Sequence, residues 1–128
     1  MSVLLNVHMW TGYVVSVVVL VTAFVAFGRA KNAQEFTAGP YRLAYALLTV
    51  QVVLGIVLYA LDGYWDADSP LIAYVHPALA VVALGAGQAL LGRARKTQMA
   101  VDAHRLAGRG LIVSLVFILG AIGVASAA

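Results

Sequence analysis

Residues 3–27 read VLLNVHMWTGYVVSVVVLVTAFVAF, a run of 25 positions without an Asp, Glu, Lys or Arg. At 1.5 Å per residue such a run makes a helix of roughly 37 Å, longer than the ~30 Å hydrocarbon core of a bilayer. A helix satisfies its own backbone polar groups in lipid, so this stretch predicts a membrane-spanning segment. It stops at Gly28-Arg29-Ala30-Lys31, where charge returns. The pattern then recurs. A second apolar run lies between Arg42 and Asp62, a third opens at Pro70 and runs to Gly92, and a fourth is hydrophobic from Gly110 onward. Ala103 to Arg109 forms a polar lead-in to the last helix, with Asp102 placed to cap it.

The expected architecture is an all-α membrane protein, a four-transmembrane-helix up-down bundle with helices over about 3–28, 42–62, 70–92 and 103–127. The connections are short, which makes consecutive helices antiparallel neighbours. Residues 1–128 form one domain, with no room for a separate soluble one. Composition agrees: the chain is 63% hydrophobic and 10% charged, against about 25% charged in soluble proteins. The start, Met1-Ser2-Val3-Leu4-Leu5, lacks the basic region of a secretory signal, and its apolar run is too long for one, so it is expected to stay as the first helix.

All eight Lys and Arg residues, Arg29, Lys31, Arg42, Arg93, Arg95, Lys96, Arg105 and Arg109, sit in or beside the first and third loops. The second loop carries Asp62, Asp66 and Asp68 and no base. Positive charge is retained in the cytoplasm, so the expected topology is N-out/C-out with loops 1 and 3 inside, in a prokaryotic cytoplasmic membrane. The net charge of +3 then addresses anionic headgroups of the lipid bilayer and not nucleic acid. Trp10, Tyr13, Tyr64, Trp65 and Tyr74 fall toward the outer end, where aromatics form an interfacial belt.

There is no cysteine, which excludes disulfides, thiol catalysis, cysteine-ligated clusters and covalent c-type haem. Metal chemistry must therefore use His, Met, carboxylate or Tyr. Ionisable groups inside a membrane are costly, and here they are histidines. His8 lies about five residues into the first helix and His76 about six into the third, and both helices run the same way, so the imidazoles share a depth. In an up-down bundle these helices are diagonal partners, and two histidines pointing to the axis are placed as axial ligands for the iron of haem b. Gly12 and Ala80, each one turn after its histidine, and Gly55 on the second helix would leave room for the flat ring, with Gly120 and Gly123 on the fourth helix at a comparable level. Small residues equally serve plain helix packing. Haem propionates at the outer end would find no Arg or Lys there and would depend on Tyr, Trp, backbone N–H groups, the N-terminal amine or water.

Three other features complete the pattern. Gln51, Gly55 and Tyr59 share one face of the second helix, and Gln51 is expected to hydrogen-bond across helices, with a quinone pocket as the lesser reading. Pro77 follows His76 and predicts a kink that aims the histidine. His104 lies at the opposite surface without a fourth histidine to pair with. It is expected to be an interfacial residue among basic neighbours, with nearby Met99 offering no geometric case for a ligand.

His8-Met9-Trp10-Thr11-Gly12, Gln51-Val52-Val53-Leu54-Gly55 and Val75-His76-Pro77 with Ala78-Leu79-Ala80 resemble one four-helix half of the haem A synthase family and, more loosely, small four-helix b-type cytochromes. The resemblance covers helices 1 to 3, and His104-Arg105-Leu106-Ala107-Gly108 repeats the H-x-x-x-G form in helix 4. It implies a haem-binding bundle with His8 and His76 as ligands. It does not imply haem A synthesis: that family has two such halves and a glutamate one turn before a ligand histidine, and here that position is Leu4.

The expected function is therefore one-electron transfer near the outer face as a cytochrome b-like electron transport protein, with quinone or another redox protein as partner. A homo-oligomer or a complex subunit is consistent with this. The alternatives are a cofactor-free structural or assembly subunit of a larger membrane complex and, less favoured, a small transporter. The last is weakened because no acidic residue lies within a span.

Overall fold

The computed structural model describes residues 3–128. Four long helices dominate: α1 (Val3–Lys31), α2 (Gly39–Asp62), α3 (His76–Arg95) and α4 (Ala100–Ala127). A π-helical turn, Leu71–Val75, leads into α3, and a single 3-10 turn, Tyr64–Asp66, lies in the α2–α3 connection. No strand occurs among the described residues. All four spans, α3 counted with its π turn, are long and apolar enough to cross a membrane.

The helices stand in sequence order around a square. α4 packs most extensively against α3 and α1, α1 also meets α2, and α2 and α3 are the least intimate neighbours. This arrangement leaves α1 and α3 diagonal. The outer surface is apolar, with Val14, Val21, Phe24, Val53, Leu61, Val81 and Val116 all exposed. Side chains of this kind are at rest in hydrocarbon and not in water, so the chain is a multi-pass integral membrane protein.

The buried core is uneven along the bundle axis. Tyr41, Ala44, Tyr45 and Leu48 from the first half of α2 meet Ala83, Leu91 and Ala94 of α3 and Ala107, Leu111 and Leu115 of α4. Val19, Ala23 and Ala26 of α1 close the layer. Alanines at this density bring backbones close, which is how membrane helices gain packing energy where lipid competes for apolar contact. Gly87 takes the same logic furthest. A Cβ there would collide with Tyr45 and with Ser114 Oγ. Its absence lets the Tyr45 ring cross the bundle until its hydroxyl lies 3.5 Å from Ser114 Oγ. Ser114 in turn donates to Ala83 O at 2.7 Å. The tight half is the one with the basic loops. The half with the termini is open inside.

The helix ends run slightly past the sequence expectation. α1 continues through Gly28 to Lys31, placing Arg29 and Lys31 in its last turn, where cations suit the helix dipole. α4 begins at Ala100 with Met99 as its N-cap residue. Asp102 is thus not the cap. It sits in the first turn, where a carboxylate is still favourable.

Beyond α1 the chain closes a Schellman turn, Gln34 N donating to Arg29 O and Ala33 N to Ala30 O, each at 3.1 Å. This turn requires a left-handed residue, and Ala33 supplies it at φ 51°. Alanine adopts this conformation at a cost that glycine avoids. Ala33→Gly is accordingly expected to stabilise the protein by about 1 kcal/mol, read as a higher midpoint of unfolding by SDS titration from mixed micelles.

Candidate functional site

His8 and His76 face each other across the diagonal at the end of the bundle that carries the termini. Their ring centroids are 6.2 Å apart and their planes nearly perpendicular, at 82°. Both line an interior cavity of about 700 Å³, within the ordinary range of small-molecule and cofactor pockets, about 300–1,000 Å³. Its wall is largely aliphatic, with Leu48, Val52, Leu58 and Ala80 from one side and Ile118, Ala121 and Ile122 from the other. Tyr13, Tyr59, Tyr64 and Ser126 add hydroxyl groups.

Each histidine is held by a neighbour outside its own helix. His76 Nδ1 lies 2.7 Å from Ala121 O on α4. A carbonyl only accepts, so Nδ1 carries the proton and donates, which leaves the lone pair on Nε2. This is the usual arrangement behind a ligating histidine. The π turn just before His76 and the proline just after it set the ring's approach. Pro77 has no N–H for Ala73 O one turn earlier, and Tyr59 replaces it by donating its hydroxyl to Ala73 O at 2.8 Å. The kink expected from Pro77 thus takes the form of a widened turn, a feature common at functional sites.

His8 is braced by α2. Gln51 Nε2 donates to His8 O at 2.6 Å and lies 3.1 Å from His8 Nδ1, while Thr11 donates its hydroxyl to Gln51 Oε1. In this setting Nδ1 accepts and the imidazole proton rests on Nε2. A metal held through Nε2 would require the other tautomer, with the proton on Nδ1. Gly55 lies against the same ring: a Cβ there would be 2.9 Å from His8 Cε1. The face Gln51, Gly55, Tyr59 therefore supports both histidines. Loss of such supporting groups commonly costs about 10- to 100-fold in affinity for a bound metal. If His8 serves as a metal ligand, Gln51→Leu is expected to weaken binding of that metal at least about tenfold without loss of helicity, measured by titration with haem.

The small residues divide into two groups. Gly55 and Ala80 line the cavity. Gly12 instead makes room for Gln51, whose Nε2 would lie 3.1 Å from an added Cβ. Gly120 faces Leu79 and Gly123 faces open space, and the small α4 residues at the cavity are Ala121 and Ala125. The helix-4 contribution is thus offset by one to two residues, a rotation that composition does not reveal.

His104 departs from the sequence expectation. It is not interfacial but fully buried, beneath the α1–α2 connection and against the Phe36 ring at 5.1 Å. Its Nε2 donates to Gln34 O and Glu35 O at 3.1 and 3.2 Å. Its Nδ1 accepts from Tyr41 Oη at 2.6 Å. Both nitrogens are occupied, so this imidazole fastens a loop and has no lone pair for a metal. The expected neighbourhood of Arg and Lys misled because the ring turns inward from them.

No group of three or more His, Cys, Asp or Glu is placed to hold a metal among the described residues. His8 and His76 thus stand as a pair of imidazoles without a third such side chain grouped with them. In comparisons with known proteins, no family model, curated protein or solved structure matches the chain.

Proposed function

We propose that this chain is a b-type cytochrome: an integral membrane protein that holds one haem b between His8 and His76 and passes single electrons near the end that carries its termini. The observation that carries the reading is the facing pair of imidazoles at 6.2 Å in a mostly apolar cavity of about 700 Å³. A metal bonded to two imidazole nitrogens at about 2 Å each separates the ring centres by about 6 Å. A macrocycle supplies the four donors that the protein does not. Haem b held there would provide a ferrous/ferric couple whose potential depends on axial ligands, hydrogen bonding and burial.

The chain's own residues perform three tasks. His76 offers Nε2, fixed by its bond to Ala121 O, and His8 is held level with it by Gln51. The aliphatic wall excludes water and presents a low-dielectric surround. Tyr13, Tyr64 and Ser126 provide polar contacts in a region without Arg or Lys. With the basic loops in the cytoplasm, this end faces outward and both termini are outside, which places the electron donor or acceptor, a quinone or another redox protein, at the outer leaflet. The likeness to half of a haem A synthase points the same way for cofactor binding and does not extend to that family's chemistry.

The direct test is an optical spectrum of the protein purified in mild detergent after expression with haem supplied. An intense Soret band with sharp α and β bands on dithionite reduction is expected. A folded protein that stays colourless when given haem would overturn the reading in favour of a cofactor-free subunit, and copurifying chains would then identify the complex.

A further inference from the structure

A second cleft lies at the opposite end, between α2 and α3, with a volume of about 350 Å³. Its origin is the loose pairing of these two helices. Tyr45 turns inward over Gly87 toward Ser114, and this leaves space on the lipid side of its ring. Arg42, from the first turn of α2, and Arg95, from the last turn of α3, both line the opening, together with Gln88. Among the described residues no acidic side chain lines it. Arg42, Gln88 and Arg95 are exposed, and none of these three has a side-chain hydrogen bond or ion pair among the described residues. Arg42 also stands at a helix N-terminus whose N-cap, Ala38, makes no side-chain bond, so charge and dipole there are both positive.

We infer that this cleft is a binding site for an anionic phospholipid, with Arg42 and Arg95 holding the phosphodiester. The two arginines sit at the boundaries of their spans, which is the depth of the glycerophosphate group in the adjoining leaflet. Leu91 and Ala46 give the cleft an apolar floor, and its opening between neighbouring helices lets acyl chains continue into the bilayer. Paired guanidiniums favour a net-negative headgroup such as phosphatidylglycerol and repel the cationic end of phosphatidylcholine. Basic pockets between helices on the cytoplasmic side recognise headgroups in this way. The proposal is independent of the histidine site, which lies at the other end of the bundle.

The test uses the full chain in mild detergent, stripped of lipid and titrated by native mass spectrometry with phosphatidylglycerol, with phosphatidylcholine of the same acyl chains, and with inorganic phosphate. One phosphatidylglycerol per chain is expected, bound at least about tenfold more tightly than phosphatidylcholine. Arg42→Gln with Arg95→Gln should weaken it about thirtyfold. Arg105→Gln with Arg109→Gln removes the same charge from α4 and should change it by no more than about twofold. Far-UV circular dichroism checks that each variant is folded, and the comparison of the two lipids on the unmodified protein stands without any variant. Equal weakening in both double variants, equal affinity for the two lipids, or displacement of bound lipid by equimolar inorganic phosphate would overturn the assignment.

Discussion

His8→Ala and His76→Ala are each expected to give a helical, membrane-inserted protein that binds no haem. Insertion depends on the four apolar spans, and neither substitution shortens one. Packing depends on the half of the bundle around Tyr41, Tyr45, Ala107 and Leu111, away from both histidines. Under the proposed function, what is lost is one of two protein-derived bonds to the metal. The expected readout is haem content falling from stoichiometric to background in a pyridine haemochrome assay, with unchanged far-UV circular dichroism. His76→Ala also vacates a ring-sized space beside Ala121. Added imidazole should enter it and restore part of the haem spectrum. Restoration separates a ligand role from a purely structural one, because a free imidazole can bond to iron but cannot rebuild a helix contact.

The second large effect concerns stability. His104→Ala should destabilise the bundle by about 3 kcal/mol, combining the loss of the acceptor for the Tyr41 hydroxyl, two loop carbonyls without their donor, and a cavity beside Phe36. The loss should appear in SDS unfolding, with haem binding by the folded protein retained, since the site lies at the other end. Tyr41→Phe removes the bond to His104 Nδ1 and keeps the ring, and should cost about 1–2 kcal/mol. A His104→Ala variant of undiminished stability would mean that the ring is dispensable for fastening the α1–α2 connection.

Much of this was legible in the sequence because the dominant constraint is lipid. Uncharged stretches of about 20 residues set the number of helices directly, and short connections set their order around the square. The matched depth of His8 and His76 followed from counting residues from the ends of two helices that run the same way, and the structure does bring the two rings together. Rotation about each helix axis was not legible, since one residue turns a side chain by about 100°. That is why Gly12 serves Gln51 and not the cavity, and why Ala121 and Ala125 stand where Gly120 and Gly123 were expected. The inward turn of His104 has the same cause. Gln51, Gly55 and Tyr59 were visible as one face, but their division of labour was not. Gln51 and Gly55 act on His8, and Tyr59 acts through a carbonyl freed by Pro77, a consequence that required the partner helix in view.

The central claim is that one iron is held by both imidazoles, and electron paramagnetic resonance of the oxidised, haem-loaded protein tests it most directly. Two axial imidazoles make ferric haem low-spin. Planes crossed at 82° leave the two iron d-orbitals that interact with them nearly equal in energy, so a single, strongly anisotropic low-spin signal is predicted. A high-spin ferric signal, persisting when the protein is fully loaded and properly folded, would show that one histidine or neither is a ligand, and would contradict the account.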